Sequence, residues 1–126
     1  MRALALVCLG GAVGSGLRYI VSWLAVRALG PDFPFGTLAV NLVGSFAIGF
    51  VQEIAIRGAV SEATRLFVSV GVLGGLTTYS AFSYESVRLL QSGAWTRAAV
   101  NVVGTTVLCL GLAVLGMAAA RSVGGR

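Results

Sequence analysis

Residues Gly71 to Glu85 read GVLGGLTTYSAFSYE. The stretch lies where an apolar, membrane-crossing helix is expected, yet it sets Gly71, Gly74 and Gly75 beside Thr77, Thr78, Ser80 and Ser83. A lipid-facing helix gains nothing from those residues. Glycine-softened or broken backbone at membrane depth persists only where it is buried in protein or lines a watery path, because unpaired N–H and C=O groups in hydrocarbon are costly. The stretch therefore predicts a broken third helix and a passage for something small and polar.

The flanking sequence supplies the membrane. Of the 126 residues 57% are hydrophobic and 10% charged, with a mean hydropathy of +0.94, an integral membrane composition. A span needs about 20 apolar residues to cross a hydrocarbon core of about 30 Å. The chain thus holds four spans, expected at residues 3–29, 37–56, 64–91 and 95–121, in a single all-α transmembrane domain over 1–126. Three short turns join them: GPDFPFG with both prolines, the polar RGAVSEATR, and QSGAW. The apolar run behind Arg2 has some character of a secretory leader. It continues past Arg18 to Val26 without a small-residue cleavage site, so it is read as the first span.

All nine basic residues are arginines, and the net charge is +5. They stand singly at helix ends rather than in a patch, so topology and lipid headgroups account for them and no nucleic-acid partner is expected. One side of the membrane receives Arg2, Arg57, Arg65, Arg121 and Arg126, the other Arg27, Arg88 and Arg97, a bias of five against three with Arg18 inside the first helix. So small a bias permits insertion both ways and hence an antiparallel dimer. Four short helices cannot easily enclose a polar path alone. The GxxxG spacings Gly10/Gly14 and Gly71/Gly75 suit close helix pairing in lipid, and oligomerisation is expected.

The side chains argue against an enzyme. The chain has no histidine; Cys8 and Cys109 sit isolated in apolar runs; Asp32, Glu53, Glu62 and Glu85 form no paired or metal-binding constellation. Arg18 admits two readings, snorkelling to an interface or a positive field drawing anions into a vestibule. Thr37, Asn41 and Ser45 follow at steps of four along one helical face. Asn41 either bonds a neighbouring helix or donates its amide to a passing anion. Tyr79 and Phe82 are three apart, as are Ser80 and Ser83, giving neighbouring aromatic and hydroxyl stripes. Aromatic edges are electropositive, so rings beside hydroxyl donors suit a small dehydrated anion, although packing explains such a pair equally well. Thr105 and Thr106 either extend that hydroxyl row or bond back to their own helix.

Taken together, GGAVGSGLRY, GTLAVNLVGSFAIG and GGLTTYSAFSYE resemble the signature strings of the Fluc, or CrcB, fluoride channel family. The resemblance implies an antiparallel, dual-topology homodimer of four-helix subunits with two fluoride pores, each drawing residues from both subunits. It makes Asn41 the pore amide, Tyr79 and Phe82 the aromatic box, and Ser80 and Thr37 candidates for the polar lining, with Ser83 in the neighbouring hydroxyl stripe and Arg18 the arginine ending the first motif. It further implies a structural sodium ion on the two-fold axis, held by backbone carbonyls around the break, with Gly74 and Thr77 the candidates. The sequence departs from the common pattern at Tyr79, where phenylalanine is usual, and lacks any aromatic residue after Trp95, where many members carry a pore-facing tyrosine.

The expected function is passive fluoride export across the plasma membrane of a prokaryote, lowering fluoride toxicity, with fluoride, membrane lipid and a second copy of the chain as partners. The alternative is a proton-coupled exporter of the small multidrug type, also an antiparallel dimer of four-helix chains. That mechanism wants an acid in the first helix, which carries Arg18 and none; Glu85 is the only acid well inside a span. A non-conducting scaffold is a third class, in which Asn41 or Phe82 substitutions alter stability without altering ion flux.

Overall fold

A run of 28 residues with no capping side chain at its start and an apolar surface on all sides is what a lipid-embedded helix looks like, and α1 (Arg2–Leu29) is such a helix. The computed structural model describes residues 1–123, and among them every regular element is helical. α2 (Phe35–Ile56) starts directly after Pro34, whose fixed φ suits a helix entry. α3 (62–76) is capped by Ser61, whose Oγ accepts from the Thr64 N–H at 3.1 Å. α4 (Tyr79–Gln91) follows the break, and α5 (Trp95–Val123) closes the chain. The turns after α1, α2 and α4 each contain a glycine at positive φ, namely Gly30, Gly58 and Gly93.

Four segments are long and apolar enough to cross a membrane: Arg2–Leu29, Phe35–Ile56, Glu62–Gln91 and Trp95–Val123. This is a multi-pass membrane protein. Its apolar core is small, with Val40, Leu73 and Leu76 buried and Val21, Ala47, Ile48 and Val68 packed around them. Many larger apolar side chains, among them Leu4, Leu24, Val43 and Leu110, face outward. With lipid as solvent, outward apolar surface carries no penalty, and small residues rather than large ones bring helices together.

Two helix pairs make the frame: α1 lies along α3, and α2 along α5. At the first crossing a Cβ on Gly71 would stand 2.8 Å from the Gly10 Cα, and one on Gly75 would stand 2.6 Å from the Gly11 carbonyl oxygen. The glycine spacings expected to serve oligomerisation are thus spent inside the chain, on the α1–α3 contact. Two stretches, Leu66–Leu73 in α3 and Val100–Gly104 in α5, are wound as wide π-turns.

Apart from Arg18, the arginines gather at the two ends. At one end Glu53 receives Arg121 through both carboxylate oxygens, at 3.0 and 3.3 Å, and Arg57 at 3.3 Å, while Arg65 pairs with Glu62 at 2.7 Å. At the other Arg97 approaches Asp32 at 3.9 Å and Arg27 lies 4.6 Å over the Trp23 ring, aromatic anchors of the kind found at membrane interfaces. Arg126, counted above among the charged ends, lies outside the described residues.

Candidate functional site

The third span breaks at Thr77 and Thr78, whose backbones are extended, with φ/ψ of −81/154 and −153/117. A helix broken at mid-span must satisfy its freed backbone groups from elsewhere. Asn41 of α2 does this with one side chain. Its Oδ1 accepts from the Thr78 N–H at 2.8 Å, and its Nδ2 donates to the Thr78 carbonyl at 3.1 Å. The pairing imitates a strand's double bond to one residue. The hydroxyls complete the repair: Thr78 Oγ1 accepts from the Ala81 N–H at 3.2 Å and caps α4, while Thr77 Oγ1 donates to the Leu73 carbonyl at 2.9 Å. Gly44 admits this arrangement, since a Cβ there would overlap the Thr77 methyl group.

A groove of about 530 Å³ opens beside the break. Asn41, Ser45, Thr77 and Thr78 line one part of it, Tyr79 and Phe82 another, and Thr105, Thr106 and Cys109 of α5 a third. Asn41 is half-buried here, and its NH2 group keeps a second proton beyond the one bonded to Thr78. The Tyr79 and Phe82 rings lie 5.5 Å apart, tilted by 44°. They differ sharply in environment: Phe82 is 8% exposed and Tyr79 80%. Gly74 also lines the groove and is exposed.

A second cavity, of about 480 Å³, lies between the start of α2 and the end of α4. Thr37, Glu85, Arg88 and Arg97 line it, with the Phe33–Phe35 turn closing one side. Thr37 Oγ1 donates to Glu85 Oε1 at 2.8 Å, and Glu85 Oε2 is buried without a protein partner. The polar face read from Thr37, Asn41 and Ser45 is therefore shared between two cavities, Thr37 in one and Asn41 and Ser45 in the other.

Of the remaining predicted residues, Ser80, Ser83 and Arg18 fall away from both cavities. Ser80 is exposed and sits 3.2 Å from Thr78 Oγ1; Ser83 donates back to the Tyr79 carbonyl at 2.8 Å. Thr106 likewise bonds its own helix, at 2.6 Å to the Val102 carbonyl, yet still borders the groove. Arg18 is half-buried on α1, with no ion-pair partner among the described residues. Two contributors escaped the sequence reading. Thr78 was visible as a hydroxyl, but its role as the residue Asn41 holds depends on a contact 37 positions away. Glu85 was visible as a lone acid inside a span, but its partner Thr37 is 48 positions away.

Among the described residues no group of three or more histidine, cysteine, aspartate or glutamate side chains forms a metal cluster. At the end of α3 the Leu73 carbonyl accepts from both the Thr77 N–H and its Oγ1, and the carbonyls beyond it sit at a helix end, which carries partial negative charge.

Comparison with known proteins fits this geometry. The family described as "CrcB-like protein, Camphor Resistance (CrcB)" matches residues 5–117. A protein of an Anaeromyxobacter species named fluoride-specific ion channel FluC is 50% identical over 111 residues, covering 87% of this chain and 88% of the relative. Its counterpart in Anaeromyxobacter dehalogenans is 48% identical over 114 residues, 90% of each chain. A Geobacter protein of the same name is 45% identical over 124 residues, 98% of this chain and all of the relative.

Proposed function

The chain belongs to the CrcB family, and from that premise we propose that it is a fluoride-selective channel through which fluoride leaves the cytoplasm passively, relieving its toxicity. The observation that carries the reading is the Asn41–Thr78 clamp at the broken third span, set beside a groove that mixes amide, hydroxyl and aromatic groups. A small, strongly hydrated anion crosses a dry passage only if donors replace its lost water. The second Nδ2 proton of Asn41 and the electropositive edge of Phe82 offer such replacement. Chloride is larger and a weaker hydrogen-bond acceptor, so a narrow groove of fixed donors disfavours it.

The functional unit is an antiparallel homodimer. Tyr79 supports this, since its ring packs on Phe82 on one side yet is 80% exposed on the single chain, aromatic surface that a neighbour would cover. Exposed Gly74, with nothing nearer than 4.0 Å to a Cβ built on it, leaves room for a second backbone at the same place. The carbonyls of Gly74 and Thr77, doubled by the partner, suit a sodium ion, which would supply structural cohesion at the dimer axis. Arg18 lines neither cavity, so any part it plays is a longer-range positive field on an approaching anion. Proton-coupled drug export is disfavoured because α1 carries Arg18 and no acid.

Cells stripped of their own fluoride export test the proposal. Given this chain, they grow at fluoride concentrations that arrest cells carrying an empty vector. Equal arrest at verified membrane expression contradicts it.

A further inference from the structure

Asn101 is the largest wholly buried side chain among the described residues, 1% exposed. An amide so enclosed must find its partners inside the protein. Its Nδ2 donates to Ser86 Oγ at 2.9 Å, and Ser86 Oγ donates to the Phe82 carbonyl at 2.7 Å. On the other side Thr105 Oγ1 donates to Asn101 Oδ1 at 3.4 Å. Every donor thus points the same way along a chain of bonds from Thr105 to Phe82.

Both ends of that chain line the groove, Phe82 on α4 and Thr105 on α5. Asn101 and Ser86 line neither cavity; they stand behind the wall. Asn101 also lies in the wide turn Val100–Gly104, a departure from regular winding that recurs at functional places in helices. We propose that Asn101 is a positioning residue for ion selection: it ties the Phe82 wall to the Thr105 wall and so fixes the width of the passage between them. The inference rests on the channel reading above. Discrimination by fit and by fixed donors depends on walls that do not drift, and hydrogen bonds in a low-dielectric interior hold them better than apolar contact alone. Leucine, of similar volume, would leave Ser86 without its donor and the Thr105 proton without its acceptor, both at positions 6% exposed.

The test uses liposomes carrying the wild-type chain, Asn101→Leu, Ser86→Ala, or both changes, with fluoride and chloride release measured in parallel. In Asn101→Leu the fluoride-to-chloride rate ratio falls by about tenfold, the scale of one hydrogen bond's net worth. Ser86→Ala moves it the same way, and the double variant is no worse than Asn101→Leu alone, because the two residues act as one unit. A purely structural Asn101 would lower the melting temperature or the folded yield and leave the ratio of the surviving channels unchanged; that result overturns the inference. Should Asn101→Leu not fold, Ser86→Ala removes a single oxygen from the middle of the chain, and an unchanged ratio there overturns it equally. A wild-type chain that releases no fluoride overturns the channel reading and this inference together, whereas conducting channels with unaltered ratios overturn the inference alone.

Discussion

Asn41 repairs both halves of one broken peptide turn, and that double bond sets what its replacement costs. Asn41→Leu leaves the Thr78 N–H and C=O unpaired, at about 1–3 kcal/mol for each such group. The purified variant is expected to melt well below wild type, and its fluoride efflux to fall more than tenfold, roughly the rate equivalent of 1.4 kcal/mol. Asn41→Asp separates the two roles. It keeps an oxygen for the Thr78 N–H but removes the donor and adds a negative charge, so melting is partly restored while fluoride efflux stays low. Restored efflux would show that Asn41 only braces the backbone. Thr78 carries a smaller prediction: Thr78→Val removes the hydroxyl that caps α4 and costs about 1 kcal/mol of stability by thermal melting.

The α1–α3 pair rests on glycine rather than on large side chains, and its prediction follows from the space at each one. Gly71→Leu drives a branched side chain into the Gly10 backbone and is expected to separate the helices, seen as aggregation or a sharp drop in melting temperature. Gly111→Ala, where a Cβ meets nothing within 4 Å, is expected to melt as wild type does. The same glycines mark how far the sequence could be read. Hydropathy placed four spans, and the hydroxyl-rich stretch from Gly71 to Glu85 placed a break in the third, since both are local properties of composition and backbone satisfaction. Spacing could not tell whether Gly10, Gly14, Gly71 and Gly75 meet each other or another copy, because GxxxG specifies close approach and not the partner. It also put Thr37, Asn41 and Ser45 on one face, yet Thr37 turns to Glu85 in the second cavity while Asn41 meets the broken turn. Nothing local marks Asn101, a lone polar residue in an apolar run whose partner Ser86 lies on another helix.

At the scale of the whole molecule the single chain is unfinished on one side. Tyr79 projects outward, Gly74 is open, and α3 ends there with the partial negative charge of a helix C-terminus. The proposed second copy, bound through this side, would account for all three, and a cation between the copies would offset the negative helix ends. If the proposed sodium ion is present, purifying the protein with N-methylglucamine in place of sodium is expected to lower its melting temperature; identical melting in both would count against that proposal. The central claim, that this chain conducts fluoride and excludes chloride, is tested most directly by ion-selective electrodes on liposomes holding the purified protein, with a protonophore present to remove any proton gradient. The account predicts rapid fluoride release with chloride retained. Intact vesicles that hold both ions, or release both alike, would contradict it.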